Sequence, residues 1–312
     1  MKKCLYCYQP LNDEIADFHS KCSRSIFGSD KPPVLSLGKA DLKVIARQIV
    51  ARSVAVTGVQ PKLSLEIEKV DTKNSRLTIV GLWGSYILKP PSDVFDSLPE
   101  NEDLTMKLAD ICGIKTAAHS LIRLQSGELA YITKRFDRNK GQKIHVEDFC
   151  QLTETLTEHK YRSSMEKVGK AIRKFSTNSG LDVLVFFELS LFCFITGNAD
   201  MHLKNFSLVR TCEGNVYLSP AYDLVSTRLA MPEDTEQTAL TINGKKHKLK
   251  KSDFITLAKT LQLHEKSIEK VFNNLLKKEG KLLQTVEASF LSNEQKTSYI
   301  ELIKSRMELL RR

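Results

Sequence analysis

The sequence predicts an α+β protein in which a strand-rich lobe precedes a helical lobe and a small cysteine-containing module comes first. The periodicity of the apolar residues changes near residue 138: before it they alternate with polar residues, as in strands, and beyond it they recur every three or four positions, as in helices. With 312 residues, of which 41% are hydrophobic, the chain is long enough to bury a core. We therefore divide it into a zinc-binding module with a linker (1–33), an N-lobe (34–136) and a helical C-lobe (137–312).

The N-terminal module contains two closely spaced pairs of metal-binding residues, Cys4-x2-Cys7 and His19-x2-Cys22. A two-residue spacer lets both side chains of a pair reach one ion, and Zn²⁺ prefers such thiolate and imidazole ligands. Four protein ligands leave no open position, so the zinc is expected to be structural. The alternative is that the cysteines are small buried apolar residues, but this segment has few apolar residues with which to enclose them. The turn-forming run Gly28-Ser29-Asp30-Lys31-Pro32-Pro33 ends the module.

The N-lobe is predicted to be mostly strands with two helices. Leu63, Leu65 and Ile67 alternate with polar residues, which is the period of a strand with one buried face. Helical periodicity predicts one helix over 42–50 and another over 102–111. The remaining predicted strands are 77–80, 85–89, 121–124 and 129–134.

The C-lobe is predicted to be helical apart from one hairpin, whose strands over 206–210 and 215–218 flank the turn at Glu213-Gly214. The apolar stretch 183–195 is 13 residues long, short of the roughly 18 that a membrane span requires, so we expect a core helix there. The predicted helices are 145–156, 164–175, 181–195, 253–261, 265–277 and 294–310.

The charge and the N-terminus bound the partners and the location. A net charge of +10 favours polyanionic partners such as nucleotides or nucleic acid, although a solvated basic surface is the simpler alternative. The basic N-terminus has no apolar run behind it, so it is not a secretory signal. Seven cysteines without such a signal argue against a disulfide framework. We expect a cytoplasmic protein.

The segment Gly197-Asn198-Ala199-Asp200-Met201-His202-Leu203-Lys204-Asn205-Phe206-Ser207 lies between the predicted core helix and a strand. Asp200 and Asn205 have the spacing of a kinase catalytic loop, in which the aspartate accepts the proton of the attacking hydroxyl and the asparagine holds a metal. Asp223 follows the hairpin, where a second acidic residue could bind Mg²⁺. Taken alone, such residues are more often turn or cap residues.

Three features of the N-lobe add to this pattern. The loop Thr57-Gly58-Val59-Gln60-Pro61-Lys62 precedes a strand, and glycine there lets backbone N–H groups approach phosphate oxygens. Lys89 ends a strand and Glu102 lies on the following helix, an arrangement in which a kinase lysine contacts the phosphates of ATP. Each signal is weak alone, but their order along the chain jointly predicts a two-lobed protein-kinase-like fold.

With these motifs the sequence resembles the HipA-type toxin serine/threonine kinases of bacterial toxin–antitoxin systems, from about residue 53 onward. It looks like the short HipT-like form, because only about 52 residues precede the glycine loop, whereas full-length members carry a further N-terminal subdomain. The matching motifs are Thr57-Gly58-Val59-Gln60-Pro61-Lys62, Ile87-Leu88-Lys89, Asn101-Glu102, Lys134-Arg135-Phe136-Asp137-Arg138, Asp148-Phe149-Cys150-Gln151, the 197–207 segment and Tyr222-Asp223.

The resemblance implies an ATP- and Mg²⁺-dependent kinase with a HipA-like fold. It implies that Asp200 is the catalytic base, that Asn205 and Asp223 hold Mg²⁺, and that His202 and Lys204 support their loop. It also implies that ATP is held by Thr57, Gly58, Val59, Gln60, Lys62, Lys89, Glu102 and the backbone of Lys134, Arg135 and Phe136.

The resemblance implies partners as well. In the family the protein substrate is typically an aminoacyl-tRNA synthetase, whose phosphorylation inhibits translation. The subdomain that a short member lacks is a separate small protein, and a DNA-binding antitoxin is encoded alongside.

The glycine loop is where the resemblance implies control. Members of the family autophosphorylate a serine three residues, or sometimes one residue, before the loop glycine, and those positions are Ala55 and Thr57 here. Ala55 cannot accept phosphate, which leaves Thr57 and then Ser53 as candidate acceptors, or no autophosphorylation. A phosphate on this loop would bring about −1.5 to −2 charges to the place where nucleotide phosphates bind.

Two other functions remain open from the sequence. A small-molecule kinase of the aminoglycoside or choline kinase type would share the fold, but the Arg135-Phe136-Asp137-Arg138 motif argues against it. A catalytically silent interaction protein would have no physical need for Lys89, Asp200, Asn205 and Asp223 together.

Overall fold

The structure, a computed structural model, describes residues 2–42, 44–45, 61–72, 74–81, 83–139 and 141–312. The chain divides into two units, each with its own internal packing. The first comprises Met1–Asp103, Ala117–Gly141 and Ala288–Phe290, and the second comprises Leu104–Thr116, Gln142–Glu287 and Leu291–Arg312.

Part of the predicted N-lobe lies outside the described residues. This holds for residues 57–60 of the glycine loop and for the candidate phosphate acceptors Thr57 and Ser53. It also holds for most of the predicted helix over 42–50, which is helical at residues 42, 44 and 45.

Five antiparallel strands form the sheet of the first unit, in the spatial order β2-β1-β3-β5-β4. These strands are β1 (Leu63–Lys69), β2 (Ser75–Ile79), β3 (Tyr86–Lys89), β4 (His119–Arg123) and β5 (Leu129–Lys134). Leu63, Leu65 and Leu88 are fully or almost fully buried, as the alternating pattern predicts. The five predicted strands are therefore confirmed, and β3, which ends at Lys89, is the central one.

The described elements of the first unit also include the helices α1 (Ser20–Phe27) and α2 (Leu98–Cys112) and the short strand β6 (Arg138–Asn139). Helix α2 begins four residues before the predicted helix over 102–111 and continues into the second unit. Glu102 therefore lies in its second turn.

The N-terminal segment shares its core with the sheet. Cys4, Leu5, Phe18 and Phe27 are buried in one cluster with strand residues such as Leu65. The turn-forming run at 28–33 predicts that the cysteine-containing residues 1–33 form a separate module, in which few apolar residues are available to enclose the cysteines. In the structure these residues cover the sheet instead, so both parts bury their apolar surface together.

Helix α5 lies at the centre of the second unit, packed against α4, α8 and α10. The helices of this unit are α3 (Phe149–Leu152), α4 (Met165–Phe175), α5 (Ser179–Thr196), α6 (Thr227–Ala230), α7 (Lys251–Thr260), α8 (Glu265–Lys277), α9 (Glu279–Ala288) and α10 (Asn293–Arg311). Its strands are β7 (Gln142–Lys143), β8 (His145–Asp148), β9 (Ser207–Arg210) and β10 (Val216–Leu218), with 3₁₀ turns at Thr157–His159 and Leu203–Asn205.

Among the described residues, α5 is the one helix long and apolar enough to cross a membrane, with a mean hydropathy of 1.8 over 18 residues. The helix is longer than the 13-residue apolar stretch: it begins at Ser179, before that stretch, and ends at Thr196, directly after it. Within the fold 67% of it is buried, which is the environment of the core helix that the sequence predicts.

The prediction of one helix over 145–156 is wrong. His145–Asp148 form a strand antiparallel to β9, with Asp148 opposite Ser207. The Asp148 side chain accepts a hydrogen bond from the Gln151 amide and begins α3, which ends after four residues, and Glu154 then turns the backbone with φ 51°. The second unit therefore contains a three-stranded sheet, β10-β9-β8, where the sequence predicted only a hairpin.

Gly197 ends α5 and begins the segment that carries Asp200 and Asn205. Its φ of 67° lies in the left-handed region. A Cβ at this position would lie 2.7 Å from Leu302 Cδ2 and 2.9 Å from Arg228 Cβ. Both the backbone and the surrounding space therefore require glycine.

Gly197→Ala is expected to lower the free energy of unfolding by about 2–5 kcal/mol, because the left-handed backbone costs alanine about 1–2 kcal/mol and overpacking costs a further ~1–3 kcal/mol. Urea unfolding measures the change. The matched control is Gly214→Ala, since Gly214 has φ 87° and nothing within 4 Å of its added Cβ. Equal losses in the two variants would contradict the steric part of this argument.

Candidate active site

A buried ion pair joins the central strand of the first unit to α2. The distance from Lys89 Nζ to Glu102 Oε1 is 2.5 Å, and the two side chains are 5% and 3% exposed. Lys89 Nζ also lies 5.4 Å from the centroid of the Tyr131 ring. Burying two charges costs several kcal/mol per ion even after relaxation, so the opposite charge of Glu102 is what holds the Lys89 ammonium group inside the fold.

The strand end at 134–136, whose backbone is expected to hold ATP, uses two of its N–H donors within the fold. The Lys134 amide donates to the Ala118 carbonyl at 2.7 Å, and the Arg135 amide donates to the Ser85 carbonyl at 2.8 Å. These two N–H groups are therefore engaged by the sheet. Of the glycine-loop residues named above, Lys62 is described, and it directly precedes β1.

Asp137 lies between two arginines at the end of the first unit. Arg135 contacts it with two nitrogens, at 2.9 and 2.7 Å, and Arg138 Nη1 lies 2.6 Å from Asp137 Oδ2. Burial alone would raise the pKa of Asp137, but hydrogen bonds from Arg135 and the charges of both arginines lower it. The Arg-Phe-Asp-Arg motif thus folds on itself as a charged cluster.

The loop after α5 brings Asp200 and Asn205 together. Asn205 Nδ2 donates to the backbone carbonyl of Asp200 at 2.9 Å, while the Asp200 amide donates to Asn198 Oδ1 at 3.0 Å. The Ala199 amide donates to Thr227 Oγ1 at 2.9 Å, which anchors the loop to α6. Because the Asn205 side chain is held through its nitrogen, its oxygen can serve as a metal ligand.

The Asp200 carboxylate is accessible and hydrogen-bonded. Its side chain is 41% exposed, and the Tyr161 hydroxyl donates a hydrogen bond to Oδ1. Burial and then the Asp200 carboxylate raise the pKa of Tyr161, so the tyrosine remains a donor. The Tyr161 ring packs edge-on against His202, with 4.9 Å between ring centroids.

His202 and Lys204 hold the same loop from within. Burial lowers the pKa of His202 to about 4, so the imidazole is neutral near pH 7, and its Nδ1 accepts a hydrogen bond from the Lys204 amide at 3.3 Å. Lys204 Nζ lies 2.7 Å from Asp148 Oδ2. These contacts match the supporting role that the resemblance implies for both residues.

Asp223 is connected to this loop through its neighbour Tyr222. The Tyr222 hydroxyl donates to the Lys204 carbonyl at 2.9 Å and lies 2.6 Å from Ser207 Oγ. Asp223 itself has φ 54°, a conformation that is uncommon for residues other than glycine and that clusters at functional sites. The second unit therefore brings the three residues predicted for phosphoryl transfer, Asp200, Asn205 and Asp223, into linked segments.

The sequence analysis missed Tyr161 and assigned no role to Asp148. Tyr161 lies 39 residues before Asp200, in a segment without a periodic pattern, so the sequence contains no signal for it. Asp148 did carry a signal, because an aspartate three residues before Gln151 has the spacing of a capping box.

The four residues predicted to bind zinc come together in the first unit, and we call them the Cys–His cluster: Cys4, Cys7, His19 and Cys22. Their ligand atoms all lie within 4.8 Å of one another. Burial first, and then the charges of Cys4 and Cys7, raise the pKa of Cys22 to about 12. Thiolates this close therefore need a cation if they are to ionise together.

Comparison with known proteins finds relatives that are named as kinases. A protein of Sinorhizobium fredii named "Putative kinase Y4dM" is 33% identical over 256 residues, which cover 77% of this chain and 60% of that protein. The serine/threonine-protein kinase toxin HipA of Shewanella oneidensis is 29% identical over 204 residues, covering 59% of this chain and 45% of that protein. The chain spans less than two thirds of the length of the two Sinorhizobium kinases that it matches.

Two solved structures share the fold. HipA of Shewanella oneidensis MR-1, in a complex with HipB and operator DNA, superposes with a TM-score of 0.66 at 22% identity, over 82% of this chain and 63% of that one. The Helicobacter pylori proinflammatory kinase CtkA gives a TM-score of 0.53 at 17% identity, over 72% and 86%. These similarities confirm the predicted kinase-like fold. The family model described as HipA-like C-terminal domain matches residues 54–282, more than half of the chain, and the chain therefore belongs to the HipA-like C-terminal domain family.

Proposed function

We propose that the chain is an ATP- and Mg²⁺-dependent serine/threonine protein kinase. The observation that carries this proposal is the buried Lys89–Glu102 ion pair, with its 2.5 Å contact. A buried ion pair adds little net stability, and apolar residues of similar volume are often more stabilising. The pair has a physical reason to be present if Lys89 contacts the phosphates of ATP, as the corresponding lysine does in kinases.

In this proposal each of the site residues described above has its own role toward the nucleotide or its metal ion. Lys89 binds phosphate oxygens, and Glu102 holds its ammonium group in one position. Asn205 and Asp223 offer the oxygen ligands that Mg²⁺ prefers; the bound ion would neutralise charge that develops on the phosphates. The 2.9 Å hydrogen bond from Asn205 to the Asp200 carbonyl keeps the base and the metal-binding amide in a fixed relation.

Asp200 is the proposed general base. Its carboxylate is exposed enough for a hydroxyl to reach, and the Tyr161 hydroxyl already donates a hydrogen bond to it. A serine or threonine hydroxyl would donate in the same way and lose its proton to Asp200 as its oxygen bonds to the γ-phosphorus and the bond to ADP breaks. Neutral His202 adds no positive charge beside this carboxylate, so it does not weaken the base.

We propose further that the kinase is the toxin of a bacterial toxin–antitoxin system. Support comes from the Shewanella oneidensis relative, which is named a serine/threonine-protein kinase toxin, and from the structure of HipA with HipB and operator DNA. The HipB and operator DNA of that structure support a DNA-binding antitoxin as a partner. The family resemblance, and not these relatives, is the basis for proposing a separate small subdomain-like protein as a second partner and an aminoacyl-tRNA synthetase, whose phosphorylation inhibits translation, as the substrate.

ATP is expected to raise the melting temperature of the chain, because a ligand that binds the folded state stabilises it, by about 2.7 kcal/mol at 100 times its Kd. The rise is expected only when Mg²⁺ is present, since the proposed site binds ATP together with Mg²⁺. Thermal unfolding of the wild type and of Asp223→Asn measures this, and the variant should lose most of the shift. Cys212→Ser, which changes an exposed cysteine, should shift as the wild type does. No shift at millimolar MgATP would contradict the proposal.

Asp200→Asn is expected to slow phosphoryl transfer by about 10²–10⁴-fold, the usual contribution of a general base, while the thermal shift with MgATP remains. Initial rates with radiolabelled ATP measure the loss. The control is Asp110→Asn, because Asp110 is an exposed aspartate that accepts a hydrogen bond from Thr116. If Asp200→Asn retained most of the activity, the active site would lie elsewhere.

Lys89→Met is expected to destabilise the fold by about 3–5 kcal/mol, because it removes the positive charge that lies against the buried Glu102 carboxylate. The double variant Lys89→Met with Glu102→Leu should regain most of this stability but show no thermal shift with MgATP. Urea unfolding gives the first quantity and the ATP-dependent melting temperature the second. A double variant that still responds to MgATP would show that the pair serves stability alone.

A further inference from the structure

We propose that the Cys–His cluster holds one Zn²⁺ ion and that this ion, through Tyr8, positions the helix that carries Glu102. All residues in the argument belong to the first unit. The inference concerns a metal site outside the phosphoryl-transfer residues. It rests on the proposed function only where it assigns Glu102 and Lys89 to nucleotide binding.

Two distances within the cluster are those expected for a tetrahedral zinc site, and all four ligand atoms lie within 4.8 Å of one another. Zinc–ligand distances of about 2.0–2.3 Å place the ligand atoms of a tetrahedron roughly 3.4–3.8 Å apart. His19 Nδ1 lies 3.4 Å from Cys7 Sγ and 3.8 Å from Cys22 Sγ. All three cysteines of the cluster are free thiols, so no disulfide competes with the metal.

The histidine is oriented as a zinc ligand. His19 Nε2 lies 3.1 Å from the Pro10 carbonyl, which can only accept a hydrogen bond, so Nε2 carries the ring proton. The lone pair of the neutral ring is then on Nδ1, the nitrogen beside the two sulfurs. A second ring nitrogen that donates to a backbone carbonyl is typical of histidines that bind metals.

The turn that carries the first two ligands ends in an unfavourable backbone conformation at Tyr8. The Tyr8 amide donates to the Cys4 carbonyl at 2.9 Å, and Tyr8 has φ 65°. The left-handed region is costly for a bulky residue and persists only where the surroundings impose it. Cys4 begins this turn and Cys7 directly precedes Tyr8, so their ligation by a single ion would fix the backbone that presents Tyr8.

Tyr8 in turn contacts α2. Its hydroxyl donates to Asp103 Oδ2 at 2.7 Å, and His119 Nδ1 lies 2.7 Å from Asp103 Oδ1. The Asp103 side chain is fully buried, and a buried carboxylate needs hydrogen bonds to its oxygens. Because Asp103 directly follows Glu102 on α2, fixing Asp103 also fixes the rotation of the helix that directs Glu102 toward Lys89.

The same network reaches Lys89 from its other side. The His119 ring stacks on Tyr131, with 6.0 Å between ring centroids, and the Tyr131 ring lies 5.4 Å from Lys89 Nζ. Both members of the ion pair are therefore connected to the Asp103 carboxylate that Tyr8 contacts. Tyr8 is thus a positioning residue for this pair.

The first test measures zinc. Full-length wild-type chain, purified without chelators, should contain one zinc per chain by elemental mass spectrometry, and Cys22→Ser should lose it. The matched control Cys212→Ser should keep it, because Cys212 lies outside the Cys–His cluster and is exposed. A folded wild-type chain that contains no zinc and takes up none when ZnCl₂ is added would overturn the proposal.

The second test separates coupling from folding with Tyr8→Phe, which keeps all four ligands and removes only the hydroxyl. It should retain one zinc, and amide hydrogen exchange over 98–103 should be several-fold faster than in the wild type. Exchange in Glu265–Lys277, a helix of the second unit, should not change. The KM for ATP should rise several-fold while kcat changes less, since the pair acts in nucleotide binding.

Two outcomes would disprove the coupling even if zinc binds. One is unchanged exchange over 98–103 in Tyr8→Phe, and the other is faster exchange with an unchanged KM for ATP. Zinc content and amide exchange do not depend on phosphoryl transfer. An inactive chain with both expected changes would therefore count against the kinase proposal alone, and an active chain without them against this inference alone.

Discussion

Two opposite charges, on Lys89 and Glu102, are buried 2.5 Å apart in the first unit, and contacts of the strand and the helix that carry them hold them there. Buried charges lose their hydration, and only a short distance between the two charges gives enough Coulomb energy to offset that loss. The central position of β3 fixes Lys89, and the contacts of Asp103 with Tyr8 and His119 fix α2. The N-terminal segment therefore also helps to hold the ion pair in place, since it supplies Tyr8 and shares a hydrophobic core with the sheet.

The second unit meets a different requirement, which is to hold Asp200 exposed while the backbone around it is rigid. Gly197 turns the chain out of the buried helix α5, and the hydrogen bonds of Asn198 and Asn205 then hold the Asp200 backbone from both sides. The carboxylate itself remains 41% exposed. A general base must be accessible to its substrate yet held in one position, and this loop satisfies both conditions.

The sequence predicted those parts of the structure in which local pattern and tertiary environment agree. The alternation of apolar and polar residues around Leu65 predicted a strand correctly, because burial of one face of a strand gives a period of two residues. The continuous apolar run predicted the helix α5 correctly, because a helix that is buried on all sides is apolar along its length. The segment 145–156 was predicted wrongly because its pairing with β9 and the turn at Glu154 override its helical period. The contact of Tyr161 with Asp200 could not be predicted, since nothing local links residues 39 apart.

The most direct test of the central claim is to incubate the chain with MgATP labelled on the γ-phosphate and a bacterial lysate, and then to identify the labelled amino acids. The account predicts label on serine or threonine of a protein, incorporated about 10²–10⁴-fold more slowly with Asp200→Asn than with the wild type. Label confined to small molecules, or equal protein labelling with and without the Asp200 carboxylate, would contradict it.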